Sequence, residues 1–575
     1  MIFRTIFFLT ILSQVPAITG NIFSSIIPPL FGKKKSPPIE TVFKLPSPLP
    51  VLRQGEGFAT GTINLGGLEV SQVSTFSKIW ATQEGGPDNL GVTFFEPLLI
   101  LNGFFMLGCY AQPNKKALFG WVLAGKDGAT GALKMPVDYT LVWSSESSKI
   151  KQDGNGYIWL PVPPNGYKPV GYLVTNSSEK PPLDKIRCVC SDFTDDVEPE
   201  LLIWEHDNVG NFNDITVKSL RPTNRGTQAL GVSVGTFVAL VNDSSSPLPI
   251  SCLKNKEFNL SFMPNLSQIK GLIQAYAPLV YIHPDDQYLP SSVGWFFSNG
   301  ARLYKKGNES NHVPIDPTGL NLPQGGSDDG SYWIDLPVDN AAKEKVKKGD
   351  LGGAGAYFHI KPMLGATFSD IAIWVFYPFN GPARAKVELV SVPLGRIGEH
   401  VGDWEHITLR VSNFNGELWR VYFSQHSGGT WVDASEVEFQ GGKNKVLAYA
   451  SLHGHAFYSK PGLFLQGNNK IGIGIRDDAA KSEIVMDTGS RFAIVSAKYF
   501  KNEVISVPPW LNFNGKWGPK ADYDIAMELE KIERVLPRNL KASLESAVNG
   551  LPNELLGEDG PTGPKTKDNW NADER

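Results

Sequence analysis

The stretch Gly398-Glu399-His400-Val401-Gly402-Asp403-Trp404-Glu405-His406, running on into Ile407-Thr-Leu-Arg-Val, decides the reading of this chain. Alternate residues of a strand share a face. Asp403, Glu405, Ile407, Leu409 and Val411 therefore line one side, and Trp404, His406, Thr408 and Arg410 the other. Two carboxylates thus head an otherwise apolar row that faces a core. Left there unpaired they would each cost several kcal/mol, so a positive group is expected between them. His400, just upstream, can turn into the same spot. Oxygen ligands with one imidazole suit Mg²⁺ or Ca²⁺, and also Mn²⁺, better than a structural zinc. A buried Arg or Lys neutralising the acids is the alternative.

Five of the nine histidines fall between positions 400 and 455. His426 ends the strand Val421-Tyr-Phe-Ser-Gln, and His453-Gly454-His455 closes Ala448-Tyr-Ala-Ser-Leu. These three are read as donors behind the metal ligands, or equally as satisfied loop histidines. Two acidic loops, Asp285-Asp286 and Asp328-Asp329, read as solvated turns. No Gly-x-Ser-x-Gly elbow is present, which argues against a nucleophilic serine. The sequence leans toward a binding protein rather than an enzyme, with a metal-dependent hydrolase as an alternative.

Outward from this stretch, strands dominate: Ile371-Ala-Ile-Trp-Val-Phe, Leu418-Trp-Arg-Val-Tyr-Phe and Val446-Leu-Ala-Tyr-Ala. A short helix is expected over Asn265 to about Pro278, and helical period returns near Asp522–Val535 and around Leu540–Val548. Upstream, Gly91-Val-Thr-Phe-Phe-Glu-Pro with Asn102-Gly-Phe-Phe-Met-Leu-Gly, then Gly156-Tyr-Ile-Trp-Leu-Pro-Val, then Gly231-Val-Ser-Val-Gly-Thr-Phe-Val, suggest one unit used three times. The fold class is therefore mainly β, an N-terminal β-prism-like domain followed by a β-sandwich domain with a few peripheral helices. The expected divisions are a signal peptide over 1–20, a linker over 21–50, the prism over 51–260, the sandwich over 265–555 and a polar tail over 556–575 that builds no core.

The 575 residues exceed one ordinary core. A charged fraction of 19% and an aromatic fraction of 11% are those of a globular chain, and Gly 58 with Pro 42 favours turns and strands. A net charge of −4 provides no field for nucleic acid, which is set aside as a partner. Four cysteines make no disulfide scaffold. The apolar run from Ile6 to Val15 has signal-peptide length and is too short to span a bilayer.

From about Phe43 to Trp570 the chain resembles the plant vacuolar protein sorting-associated protein 62 family. The resemblance rests on Gly57-Phe-Ala-Thr-Gly-Thr-Ile-Asn-Leu-Gly, Pro136-Val-Asp-Tyr-Thr-Leu-Val-Trp-Ser-Ser, Ile397-Gly-Glu-His-Val-Gly-Asp-Trp-Glu-His, Ser424-Gln-His-Ser-Gly-Gly and Gly560-Pro-Thr-Gly-Pro-Lys. It implies a link to vacuolar sorting. Members generally lack an apolar leader, so the first twenty residues depart from the pattern. They suggest the endomembrane or secretory pathway or the vacuole, with a cytosolic protein peripheral to membranes as the alternative.

His400-x-x-Asp403-Trp404-Glu405 is also similar to the core string of the necrosis-inducing cytolytic proteins of plant-associated microbes. That likeness implies a divalent cation held by His400, Asp403 and Glu405. In those proteins an acid after a Tyr/Phe-Pro pair completes the set; here Tyr377-Pro378-Phe379-Asn380 puts Asn380 in its place, and Gly402 replaces the second His. Leu160-Pro-Val-Pro-Pro-Asn-Gly-Tyr looks like β-prism modules of endosomal sorting proteins that bind acidic membranes. Together these imply a protein that associates with membrane lipid or glycolipid headgroups through a divalent-cation site, a secreted defensive cytolysin being a further alternative.

Overall fold

The computed structural model describes residues 39, 41–50, 57–206, 214–241, 247–387, 390–468, 473–500, 505–534, 541, 545 and 559–575. The chain is mainly β, and the expected signal peptide lies outside these residues, as does the helix expected over Leu540–Val548 but for Lys541 and Glu545.

The centre of the molecule is a six-stranded sheet. Its strands are β1 (Ala356–Met363), β2 (Phe368–Asn380), β3 (His400–Ser412), β4 (Leu418–Gln425), β5 (Gly428–Asp433) and β6 (Phe492–Ser496), in the order β5-β4-β3-β2-β1-β6. All neighbours are antiparallel except β1 and β6. Every residue of β2 is buried, which explains its nearly unbroken apolar sequence: both faces of the sheet are covered.

The first face packs the main core. Ile407, Leu409 and Val411 of β3 lie there with Ile371, Ile373 and Val375 of β2, as the alternation predicts. A small four-stranded sheet made of Leu279–Tyr281, Leu447–Ala450, Phe457–Tyr458 and Val485–Asp487 closes over them through Val280, Ala448 and Met486. Helix α1 (Leu266–Tyr276) adds Ile269, Leu272 and Ile273, and starts at a capping box in which Asn265 and Gln268 bond each other's backbone. Three further α-helices with both ends among the described residues are short: α2 (Val293–Ser298), α3 (Asn340–Lys347) and α4 (Ile525–Glu533), each opened by a Ser or Asp side-chain cap.

The second face overturns one expectation. The tail read as polar and outside the core is folded beneath β3: Trp570 stacks on His359 at 3.8 Å, and Asp573 and Glu574 are buried. Glu574 accepts from Thr408 Oγ1 at 2.7 Å and meets Lys361 Nζ at 3.2 Å and His406 Nε2 at 3.1 Å. Arg410 forks onto Asp370 and reaches Asp573 at 2.5 Å. The His406, Thr408 and Arg410 row is polar because an acidic segment far along the chain satisfies it, which local sequence does not reveal.

Before α1 the described residues form six small antiparallel sheets. Three of them surround an aromatic core in which Trp80, Trp143 and Trp204, one from each sheet, pack with ring centroids 5.8–6.1 Å apart. The three tryptophans recur roughly every 60 residues, the spacing of a threefold unit. The other three sheets share a second core around Leu68, Leu123, Val189 and Leu253. This part is fixed to the central sheet by Phe119 stacked on Trp419 at 4.4 Å and by the ion pair of Arg420 with Glu200 at 2.9 Å. Residues 41–50, expected within a linker, are pinned too: Phe43 packs on Phe119, and Ser47 bonds Asn444.

Candidate functional site

Beyond the apolar part of the main core, at the end where β3 begins, buried titratable side chains gather from five segments. Asp403 and Glu405 come from β3. Ser424 and His426 close β4, and His453 and His455 follow the strand ending at Ala450. Asp286 and Tyr288 come from the loop after Tyr281, and Asp477 from the strand Ile473–Ala479.

Gly402 makes this start of β3 possible. Its φ is +71°, and a Cβ there would stand 2.2 Å from Trp517 O, so a side chain is excluded on both counts. The pairing of β2 with β3 skips Pro378 and Gly402, while Tyr377 stays opposite Asp403 and Asn380 opposite His400.

Asp403 Oδ2 lies 2.8 Å from His455 Nδ1, and His455 Nε2 lies 3.0 Å from Tyr288 O and 3.7 Å from Asp286 Oδ2. Both ring nitrogens face acceptors, so both carry protons and the ring is an imidazolium. Burial opposes that charge, but the Asp403 hydrogen bond and the Asp286 charge outweigh it and raise the His455 pKa. Tyr377 stacks flat on this ring, centroids 3.8 Å apart and planes at 6°. Burial also opposes ionisation of Asp403, yet the His455 contact and the His455 and His400 charges hold its carboxyl below the ordinary value.

Glu405 is placed differently. Its carboxylate accepts a short hydrogen bond from Ser424 Oγ, a neutral donor. Burial, followed by the negative charge of Asp403, pushes it up to about 8. Asp477 takes the remaining imidazole: His426 Nε2 lies 3.0 Å and Tyr458 Oη 2.6 Å from its Oδ2. Burial works against a charged His426, but Asp477 raises it to about 9. The hydroxyls of Tyr377 and Ser451 are buried and have no hydrogen-bond partner among the described residues.

His426, His453 and His455 have φ of 58°, 69° and 56°. Side-chain-bearing residues rarely adopt this region, and three at one place mark stored strain. It is held by the hydrogen bonds of His426 and His455 and by His453, whose N–H donates to Asp286 Oδ2 at 2.9 Å and whose Nδ1 lies 3.1 Å from Pro382 O.

Of the residues singled out in the sequence, Asp403, Glu405, His426 and His455 come together, with His400 near enough to act on Asp403 by its charge. Asn380 is buried beside them, but its amide donates to Gly381 O and Gly398 O and so braces the turn before β3. Asp285 is a solvated turn residue as read; Asp286 is not, since its side chain is fully buried against His455. Asp477, Tyr377 and Asp286 were missed as site residues. Tyr377 lies three positions before Asn380, and Asp477 sits in the Arg476-Asp477-Asp478 run of a strand, the one available signal. The positive group beside Asp403 is an imidazolium rather than the Arg or Lys considered as the alternative. Among the described residues no three His, Cys, Asp or Glu donors converge on one point as metal ligands.

Among solved structures, the chain is similar to GNIP1Aa from Chromobacterium piscinae at 20% identity, with 37% of this chain and 40% of that one covered and a TM-score of 0.28. It thus spans about two fifths of that protein's length. It is also similar to NLPPya in complex with glucosamine (15% identity, 34% and 70% covered, TM-score 0.19) and to a toxin fold for microbial attack and plant defense (15%, 34% and 71%, 0.20). No curated protein matches. The family model described as Vacuolar protein sorting-associated protein 62 matches residues 39–574, nearly the whole chain, and the chain belongs to that family.

Proposed function

We propose that the acid–imidazole cluster holds a divalent cation, Mg²⁺ or Ca²⁺ with Mn²⁺ as a further candidate, and that through it the protein associates with lipid or glycolipid headgroups of endomembranes. The observation that carries this reading is Glu405: a buried carboxylate beside a second one, bonded to a neutral hydroxyl and pushed up to about 8. Such a group is short of positive charge, and a divalent ion supplies it.

By type the donors suit a hard cation. Asp403 and Glu405 provide carboxylate oxygens, the Tyr377 and Ser451 hydroxyls are without partners, and His400 stands at the rim. His455 uses one oxygen of Asp403 and keeps that side chain oriented, and Asn380 keeps the turn beside it in place. When bound, the ion would offer a positive centre for the hydroxyl or anionic oxygens of a headgroup. The endomembrane setting follows from the family alone.

The test is calorimetric titration of Ca²⁺, Mg²⁺ and Mn²⁺ into the full chain and into Asp403→Asn, with flotation on glycolipid vesicles with and without chelator. Glucosamine serves as a soluble competitor. Tight binding by the wild type, weakened at least tenfold in the variant, is the expected result; binding indifferent to both chelator and substitution sinks the proposal.

A further inference from the structure

A recess unrelated to the acid cluster opens where three parts of the chain meet. It is lined by the loop of residues 223–229 from the unit before α1, by His359 and Pro362 of β1, and by Lys498 and the tail residue Asn571. Its volume of about 670 Å³ is that of a small-molecule site, and such sites favour the junctions between packed units. Backbone contacts frame it. Thr227 N–H donates to Asn571 O at 2.9 Å. Gly226 has φ of +148°, and a Cβ there would stand 2.9 Å from the same oxygen, so glycine lets the loop approach the tail this closely.

Two groups of the recess are unmatched. His359 is 3% exposed and stacked on Trp570, and its Nδ1 has no hydrogen-bond partner among the described residues. Burial, then the charges of Lys361 and Lys498, hold its pKa well below the ordinary histidine value, so the ring is neutral. A neutral imidazole can present an N–H at Nδ1. Lys361 is answered by Glu574, but no carboxylate answers Lys498: its Nζ reaches the Asn571 amide oxygen at 3.4 Å and makes no ion pair among the described residues. Lys565 adds to the same field, for it bonds the neutral Asn512 amide, and burial followed by the charge of Lys498 lowers its pKa. A buried ring nitrogen without a partner, beside an ammonium group without a counter-charge, is what an anion completes. Phe258, Leu260 and Pro362 give the rest of the recess an apolar lining.

We propose that this recess binds a small organic anion, whose charged group meets Lys498 Nζ and the His359 Nδ1–H and whose apolar body lies against Phe258, Leu260 and Pro362. No metal takes part, and the acid cluster lies on the opposite face of the central sheet, so this reading and the cation reading fail separately.

The experiment is calorimetric titration of the full chain, with EDTA throughout, with phenyl phosphate and with phenylacetate. Inorganic phosphate supplies the charge alone and benzyl alcohol the apolar body alone. At least one of the two organic anions should bind at least about fivefold tighter than either part, because only the whole molecule uses both walls. In Lys498→Gln, at an exposed position, that affinity should fall about tenfold, the worth of a charge-assisted hydrogen bond. His359→Phe keeps a ring on Trp570 and removes the nitrogen, and should cost a similar factor. Thermal melts establish that each variant is folded, and Lys498→Gln decides alone where His359→Phe is not. Organic anions that fail to bind, or bind no tighter than inorganic phosphate or benzyl alcohol, overturn the proposal. So does an affinity indifferent to Lys498→Gln.

Discussion

Replacing Glu405 by Gln separates a strained carboxylate from one that merely supports the fold. The folded protein holds this acid at about 8, against an ordinary 4.5, through burial and the charge of Asp403. An acid raised on folding keeps its proton longer folded than unfolded, so stability falls as pH climbs from the unfolded value to the folded one. At about 1.4 kcal/mol per pKa unit, ionised Glu405 costs on the order of 4–5 kcal/mol by pH 8 and above. Gln keeps the shape and still accepts from Ser424, but carries no charge. In EDTA, urea unfolding followed by tryptophan fluorescence should therefore show Glu405→Gln more stable than wild type at pH 8.5, by several kcal/mol, with the gap mostly closed at pH 5. Calcium should restore the wild type at pH 8.5 and leave the variant unchanged. A variant equally destabilised at both pH values would refute the reasoning, for it would mean that the carboxylate is well satisfied without an ion.

Three further outcomes follow from the geometry. Proton NMR of His426 should show a ring that titrates near 9, because Asp477 holds its proton, and the value should drop toward the ordinary range in Asp477→Asn; the stability this pair adds is present below the unfolded histidine pKa of about 6.5 and is lost as pH rises through 9. Glu574→Ala should destabilise by about 3–5 kcal/mol, measured by urea unfolding, because Lys361, with a side chain 1% exposed, loses its buried counter-charge. Trp143→Ala should cost about 3–5 kcal/mol and loosen the unit before α1, seen as faster amide exchange in the strands that carry Trp80 and Trp204.

The main β architecture was legible because β2 and β3 state their burial in composition and alternation: an unbroken apolar run for the strand covered on both faces, and a strict two-residue period around Ile407, Leu409 and Val411. Asp403 and Glu405 were legible for the same reason, as acids out of keeping with their row. What the sequence did not show is who answers them. His455 lies 52 residues after Asp403, and Asp477 lies 51 after His426. Such pairings depend on loop geometry, here on three histidines in left-handed backbone, and no local pattern encodes that. Asp286 was misread for a related reason. An Asp-Asp turn after Pro284 looks solvated, and one of the two acids is, but the loop that carries His453 and His455 covers its neighbour.

The tail shows the same limit on a larger scale, and it also explains why β3 can carry so much charge. Each face of β3 ends in ionisable groups, and the two faces are satisfied by different means. On the far side, His406, Thr408 and Arg410 meet Asp573 and Glu574, and Lys361 completes a network in which each of these charges has an opposite partner within hydrogen-bond range. Burial opposes ionisation of Glu574, yet Lys361 and His406 hold its pKa well below the ordinary carboxylate value. On the near side the same strand leaves Glu405 with a pKa pushed the other way. A carboxylate raised on one face and one lowered on the other, under comparable burial, differ in the charge beside them, Asp403 next to the first and Lys361 with His406 next to the second, and not in solvent access. That contrast is why the proposed cation is placed at Glu405 and not at Glu574, whose charge folding has already compensated.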